Sequence, residues 1–188
     1  MSYVGHASMS QHGDLQVVFG DITRVKADAI VNAANEKLSA GGGVCGAIFR
    51  AAGMEKLTDA CRAIGGCPTG SAVLTPAFEI STARYIIHAV GPIYSSHTTD
   101  EARRLLRSAY ATAIRLAFEN GCTSVAFPAI STGIYGYPLE EACKEAVDVC
   151  GAEGQRTGMD IKLVAFDSRT ANCLRRHLSA RMKKQSSK

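Results

Sequence analysis

Several features that would place the chain at a membrane or in the secretory pathway are missing. No stretch of the 188 residues reaches the ~20 consecutive apolar residues that a membrane-spanning helix needs. The first residues, Met1 to Gln11, lack the basic and then apolar arrangement of a secretory signal. Linkers, internal repeats and low-complexity tracts are also missing. We therefore expect one globular domain and no membrane partner.

The cysteine pattern lacks the spacing of a metal site. There are seven cysteines and no CxxC pair, and Cys61 and Cys67 with the distant His88 do not match a recognised zinc pattern. We expect the thiols to be small buried apolar groups in a reducing compartment, which favours the cytoplasm. The sequence predicts no metal ion and no redox cofactor.

Charge is sparse and weakly biased. Charged residues make up 20% of the chain and hydrophobic residues 46%, a balance typical of a folded domain with a full core. The net charge of +4 comes from the C-terminal segment, which lacks the interleaved aromatic residues of a nucleic-acid surface. We predict a solvated helix end there and no nucleic-acid partner. The expected organisation is a flexible leader (1–13), a single domain (14–182) and a basic tail (183–188).

Short apolar runs alternate with amphipathic stretches along the chain. This alternation predicts an α/β domain with helices on both faces of a largely parallel sheet. The predicted strands are Leu15–Phe19, Ala29–Asn32, Ser71–Thr75, Tyr85–Ala89, Val125–Pro128 and Lys162–Phe166. The predicted helices are Val44–Ala52, Glu101–Glu119, Leu139–Cys150 and Thr170–Arg181.

Two strand-to-helix loops stand out by composition. One contains Gly41-Gly42-Gly43 and leads into a helix, whose first N–H groups and positive dipole end would favour a phosphate. The other runs from Ala129 to Pro138 and offers the hydroxyls of Ser131 and Thr132 beside bare glycine backbone. Neither loop has a standard nucleotide-binding pattern. A flexible hinge or plain turns would also fit the local composition.

Several motifs in a fixed order resemble the macrodomain family. They are Gly20-Asp21-Ile22-Thr23, Asn32-Ala33-Ala34-Asn35, Gly41-Gly42-Gly43-Val44, Ile87-His88-Ala89-Val90-Gly91-Pro92 and Ile130-Ser131-Thr132-Gly133-Ile134-Tyr135-Gly136. The similarity extends from about Val17 to Phe166 and is greatest to the MacroD-type branch, which includes bacterial O-acetyl-ADP-ribose deacetylases. The resemblance implies a three-layer α/β/α sandwich around a six-stranded, mostly parallel mixed sheet.

The same resemblance assigns roles at the adenine end of an ADP-ribose ligand. Asp21 would accept a hydrogen bond from the adenine amino group, since an ionised carboxylate is an acceptor only. Ile22 would line the adenine pocket, and Phe166 would pack on the ring. Asp21 would equally suit an N-cap, and a Phe at a strand end is often a core residue.

At the other end, the resemblance implies contacts with the ribose and the diphosphate. Asn35 would hydrogen-bond the distal ribose, close to Gly42, Gly43 and Val44. We expect Asn32 to brace its loop and His88 to be structural. The diphosphate would be enclosed by Ser131, Thr132, Gly133, Ile134 and Tyr135.

The chain departs from the MacroD-type pattern at one position. Where that pattern reads G-V-D-G, this sequence has Gly43-Val44-Cys45-Gly46, so Cys45 replaces an aspartate thought to orient or activate water. This substitution has three interpretations. The first is that catalysis does not need the carboxylate, and the second is that catalysis is lost and the protein only binds ADP-ribose. The third is that Cys45 is itself a nucleophile or a redox switch. The expected partners are ADP-ribose, its esters and mono-ADP-ribosylated proteins. The expected activity is hydrolysis of the ester, with Asn35 and Cys45 as candidate catalytic residues.

Overall fold

A computed structural model describes residues 13–187. The leader predicted for residues 1–13 therefore lies, apart from Gly13, outside the described part. The strands are β1 (Leu15–Phe19), β2 (Ala29–Ala33), β3 (Ala72–Pro76), β4 (Tyr85–Ala89), β5 (Ser124–Phe127) and β6 (Asp160–Ala165). The helices are α1 (Gly43–Ala52), α2 (Met54–Ile64), α3 (Thr99–Glu119), α4 (Leu139–Thr157) and α5 (Ser168–Ser186).

The six strands form one mixed sheet in the order β1-β6-β5-β2-β4-β3. All neighbours are parallel except β3, which pairs with β4 in the antiparallel direction at one edge. Alternate residues of the central strands point to opposite faces, so that Val31 and Ile30 belong to different cores. The predicted six-stranded, mostly parallel mixed sheet is confirmed.

Each face of the sheet is covered by its own helix layer. Apolar residues of α3, α4 and α5, among them Leu106, Tyr110 and Leu174, form one core. Ile48 and Phe49 of α1 and Leu57 of α2 form the other. The predicted three-layer α/β/α sandwich is thus confirmed. Within residues 13–187 no helix has the length and apolar character required to cross a membrane.

The helix predictions omit α2 and end α4 and α5 too early, since the predicted Thr170–Arg181 helix runs from Ser168 to Ser186. Helix α2 was missed because only Leu57 and Cys61 of its eleven residues are buried, too few to give a clear apolar period. Helix α4 continues to Thr157, seven residues beyond the predicted end at Cys150 and through Gly151 and Gly154. At Gly151 a Cβ atom would lie 2.2 Å from Nε of Arg181. This glycine lets α5 pack closely and does not end the helix.

Candidate functional site

Four loops meet at one edge of the sheet. Strands β1, β6, β5 and β2 are parallel neighbours, so their carboxyl ends lie side by side. In open α/β sheets, ligands bind outside this edge. The predicted site residues come from the four segments that follow these strands: 20–24, 34–44, 128–138 and 166–167. The fold therefore brings all of them to the same edge.

The glycine loop ends in an open helix start. Helix α1 has Gly42 as its N-cap, and no side chain among the described residues caps it. A Cβ atom on Gly42 or Gly43 would meet nothing within 4 Å, so the backbone faces open space. The first N–H groups of α1 and its positive dipole end are thereby available to an anion. Gly46 holds the loop close, since a Cβ there would lie 2.6 Å from O of Gly41.

Asn35 is already bound within its own loop. Its Nδ2 donates to O of Ser39 at 2.9 Å, and its Oδ1 accepts from N and Oγ of Ser39 at 3.1 and 3.2 Å. One Nδ2 hydrogen is left for a further acceptor. Asn35 therefore shapes the loop, and its predicted contact with a ribose stays a prediction.

Cys45 points into the domain. Its side chain is buried, and its Sγ lies 3.7 Å from Nδ2 of Asn32 and 3.9 Å from O of Ser39. Neither group is a general base that would deprotonate a nucleophile. The nearest imidazole along this path is His88, whose Nδ1 lies 3.1 Å from the same Asn32 Nδ2. The contacts favour a packing role for the thiol over a nucleophilic one.

Asn32 connects β2 to a helix and to a neighbouring strand. We expected it to brace its own loop, whereas its amide contacts the side chains of Cys45 on α1 and His88 on β4. His88 is fully buried, and its Nε2 lies 3.0 Å from Oγ1 of Thr75. Burial lowers the pKa of His88 to about 4, so the ring is neutral at physiological pH. This environment suits the predicted structural role.

The loop after β5 is folded by its own hydrogen bonds. N of Tyr137 donates to O of Ser131 at 2.9 Å, and N of Gly136 donates to O of Gly133 at 3.0 Å. Ser131 adopts a positive φ of 65°, and its buried Oγ has no hydrogen-bond partner among the described residues. The side chain of Ile134 is fully exposed. The loop thus presents backbone N–H groups and an apolar tip at the sheet edge, while the Ser131 hydroxyl faces inward.

Gly91 supports this loop and was given no role in the sequence analysis. A Cβ atom at Gly91 would lie 2.2 Å from Oγ of Ser131 and 2.5 Å from Cγ2 of Ile130. The loop therefore holds its position only because residue 91 has no side chain. The Val90-Gly91-Pro92 motif contained the signal, but only the fold shows what Gly91 contacts.

The ends of β1 and β6 carry the residues predicted for the adenine end. Asp21 caps the 3-10 turn Ile22–Arg24, its Oδ1 accepting from N and Oγ1 of Thr23 at 2.9 and 2.7 Å. The N-cap interpretation is thus correct, while Oδ2 makes only a 4.0 Å ion pair with Arg24. The side chain of Ile22 is buried in the core, which leaves its backbone for a ligand. Phe166 is 83% exposed and is not a core residue.

The fold and this edge define an α/β/α sandwich whose open loops line a cleft with bare backbone and few charges. The model of the Macro domain family matches residues 31–146. The chain belongs to the macro domain family, as its motifs predicted.

Named relatives agree with this assignment. The chain is 47% identical to the O-acetyl-ADP-ribose deacetylase of Salmonella typhimurium over 171 residues, covering 88% of this chain and 94% of that protein. Among solved structures, the Oceanobacillus iheyensis macrodomain with ADP superposes with a TM-score of 0.84 at 38% identity, covering 89% and 91% of the two chains. The Trypanosoma brucei macrodomain in complex with ADP-ribose gives a TM-score of 0.78 at 34% identity, covering 86% and 68%.

Proposed function

We propose that the protein binds ADP-ribose in this cleft and hydrolyses ester-linked ADP-ribose. The substrates would be O-acetyl-ADP-ribose and mono-ADP-ribose on Asp or Glu side chains. One observation carries the proposal. The open glycine loop follows β2 and the 131–137 loop follows β5, and these two strands are parallel neighbours. The chain that carries this pair of loops is 47% identical to an O-acetyl-ADP-ribose deacetylase.

The adenine would lie across the ends of β1 and β6. Oδ2 of Asp21 is free of strong hydrogen bonds and would accept from the adenine amino group. The exposed ring of Phe166 follows β6, the strand beside β1, and would stack on the base. Together these two side chains would fix the base by one polar and one apolar contact.

The diphosphate would lie between the α1 start and the loop after β5. Both offer N–H groups, and α1 adds its positive dipole end, so the cleft can hold two negative phosphates without a lysine or arginine. Burial raises the pKa of Tyr135, so its phenol remains protonated and able to donate.

Hydrolysis would depend on positioning, because the site has no carboxylate at residue 45. A diphosphate oxygen of the substrate would polarise the water, and Asn35 would hold the distal ribose beside it. Water adds to the acyl carbon, the acyl–oxygen bond breaks, and the ribose oxygen leaves with a proton. For the glutamate-linked substrate, attack at the anomeric carbon would release the same ADP-ribose by breaking the bond between that carbon and the ester oxygen. Isotopically labelled water distinguishes the two, since the label enters the released carboxylate only when water attacks the acyl carbon.

A second function, binding ADP-ribose without turnover, is favoured by one observation. Residue 45 is a buried cysteine, and it lacks the carboxylate oxygens with which the usual aspartate would orient water. Either function suits the cytoplasm, which we propose as the location because all seven cysteines are free and buried.

A turnover assay tests the proposal. Wild-type protein, at an amount far below that of the substrate, is incubated with O-acetyl-ADP-ribose and with glutamate-linked mono-ADP-ribosylated protein. We expect many molecules of ADP-ribose released per chain. Binding of ADP-ribose in calorimetry without release would establish the reader instead. No binding and no release would reject both.

A further inference from the structure

Helices α4 and α5 bring metal-binding side chains together away from the cleft edge. Oε2 of Glu140 lies 2.8 Å from Nε2 of His177. One donor atom each from Glu140, Cys173 and His177 lies within 4.8 Å of the other two. Cys173 and His177 are four residues apart on α5, so both face α4.

The same side of α4 carries a further donor. Cys143 follows Glu140 by three residues on α4, so both lie on one side of that helix, and the thiol of Cys143 is buried like that of Cys173. Two sulfurs, one imidazole and one carboxylate are ligands that zinc accepts in tetrahedral sites. The sulfurs argue against magnesium and calcium, which take oxygen ligands. We propose that Glu140, Cys143, Cys173 and His177 bind one zinc ion that joins α4 to α5.

Burial and spacing suit an ion that enters from solvent. Both thiols are buried, His177 is partly exposed and Glu140 is exposed. Zinc bonds of ~2.0–2.3 Å place ligand atoms of a tetrahedron about 3–4 Å apart. The three donor atoms all lie within 4.8 Å of one another, and the exposed Glu140 side chain can move to adjust their spacing.

The charges around the site balance. Binding displaces two thiol protons to solvent, so the ion with two thiolates and one carboxylate carries one net negative charge. The guanidinium of Arg176 already contacts Oε1 of Glu140 and would offset that charge. Arg176 needs no rearrangement for this, because zinc would take the other carboxylate oxygen.

The site is placed to steady two junctions near the cleft. Glu140 lies in the first turn of α4, directly after the 128–138 segment, and Cys173 follows the N-cap Asp167 of α5 by six residues. We therefore assign the ion a structural role. Its spacing, three and four residues on two helices, is not a standard zinc pattern, so sequence analysis predicted no metal.

The test is metal binding by the full chain, independent of any enzymatic activity. Protein freed of metal under reducing conditions is titrated with zinc, and the bound metal is counted by elemental analysis. Cobalt(II) then serves as the spectroscopic probe, since thiolate ligands give it a charge-transfer absorption. The variants are Cys173→Ser, Cys143→Ser and the partly exposed His177→Gln, with Cys122→Ser, a buried cysteine outside the cluster, as control.

We expect one zinc per chain, a higher Tm with zinc, and a cobalt–thiolate band that Cys122→Ser retains. Cys173→Ser should lose that band, Cys143→Ser should lose part of it, and His177→Gln should weaken zinc binding by more than about tenfold. No zinc uptake by reduced wild type would overturn the proposal. Uptake unaffected by His177→Gln and Cys173→Ser would do the same. A Cys143→Ser variant with the full band would remove Cys143 as the fourth ligand.

Discussion

At the residue scale, Asp21 has one carboxylate oxygen bound within the fold and a second that is open to a ligand. Oδ1 caps the turn that follows β1, while Oδ2 faces only the weak pair with Arg24. An alanine would remove both functions. An asparagine can keep the cap through its Oδ1 and replace Oδ2 with a donor.

We therefore expect Asp21→Asn to weaken ADP-ribose binding while the free energy of unfolding stays near that of wild type. The loss should be about 1–3 kcal/mol, because a donor would then face the adenine amino group. Calorimetry with ADP-ribose measures it, with Asp59→Asn, on the surface of α2, as the control. An unchanged Kd would remove Asp21 from the site.

Cys45 is the second residue at which the chemistry is decided. Its Sγ contacts Asn32 and Ser39 and has no general base beside it. We expect Cys45→Ala to keep turnover within about tenfold of wild type, a change of ~1.4 kcal/mol, because only packing is altered. Initial rates on O-acetyl-ADP-ribose measure this, after thermal unfolding has shown that the variant folds. A rate that collapses in the folded variant would mean that the thiol is required.

At the scale of elements, two glycines determine how closely the cleft loops pack against their neighbours. Gly46 permits α1 to approach the glycine loop, and Gly91 permits the segment after β4 to approach the loop after β5. At both positions a Cβ atom would clash with the neighbouring segment, so only glycine allows the two segments to pack this closely.

Gly91→Ala is expected to displace the 131–137 loop, because the new Cβ would meet Oγ of Ser131 and Cγ2 of Ile130. ADP-ribose affinity should fall by about tenfold or more, as the diphosphate donors move. Calorimetry gives the affinity, and circular dichroism shows whether the domain is intact. A folded variant with wild-type affinity would show that this loop does not contact the diphosphate.

At the scale of the whole molecule, a buried polar chain links both helices of one layer to the sheet. Asn32 on β2 lies opposite His88 on β4, and His88 reaches Thr75 on β3. Cys45 on α1 and Cys61 on α2 complete the chain. Because Nδ1 of His88 accepts from Asn32, Nε2–H donates to Thr75, an arrangement that requires a neutral ring.

This histidine predicts a pH dependence of stability. Burial lowers its folded pKa to about 4, below the unfolded value of ~6.5, so the unfolded chain binds the extra proton. The contribution is fully present above pH ~6.5 and is lost as pH falls towards 4, by roughly 3 kcal/mol in total.

Urea unfolding at several pH values between 7 and 4 measures it. His88→Gln should show a shallower decline than wild type, while His97→Gln, a partly exposed histidine beside Glu101, should decline much as wild type does. Equal slopes for wild type and His88→Gln would contradict the prediction.

The sequence by itself determined the strands and the class of fold. The predicted β1 and β4 have the observed bounds, and the other strands differ by one or two residues, because short β-branched runs between turns specify buried strands with little ambiguity. The motifs that resemble the macrodomain family lie in loops after parallel strands, whose carboxyl ends share one edge, and the ligand contacts of their residues stay predictions.

The tertiary structure decided what each side chain contacts. Asn35 bonds Ser39, Cys45 faces Asn32, and Gly91 holds the Ser131 loop, although these pairs mostly lie in different elements. The cluster of Glu140, Cys173 and His177 exists only because α4 and α5 pack together. Local patterns fix periodicity and turn chemistry, whereas contacts between distant segments depend on packing that no short window of sequence contains.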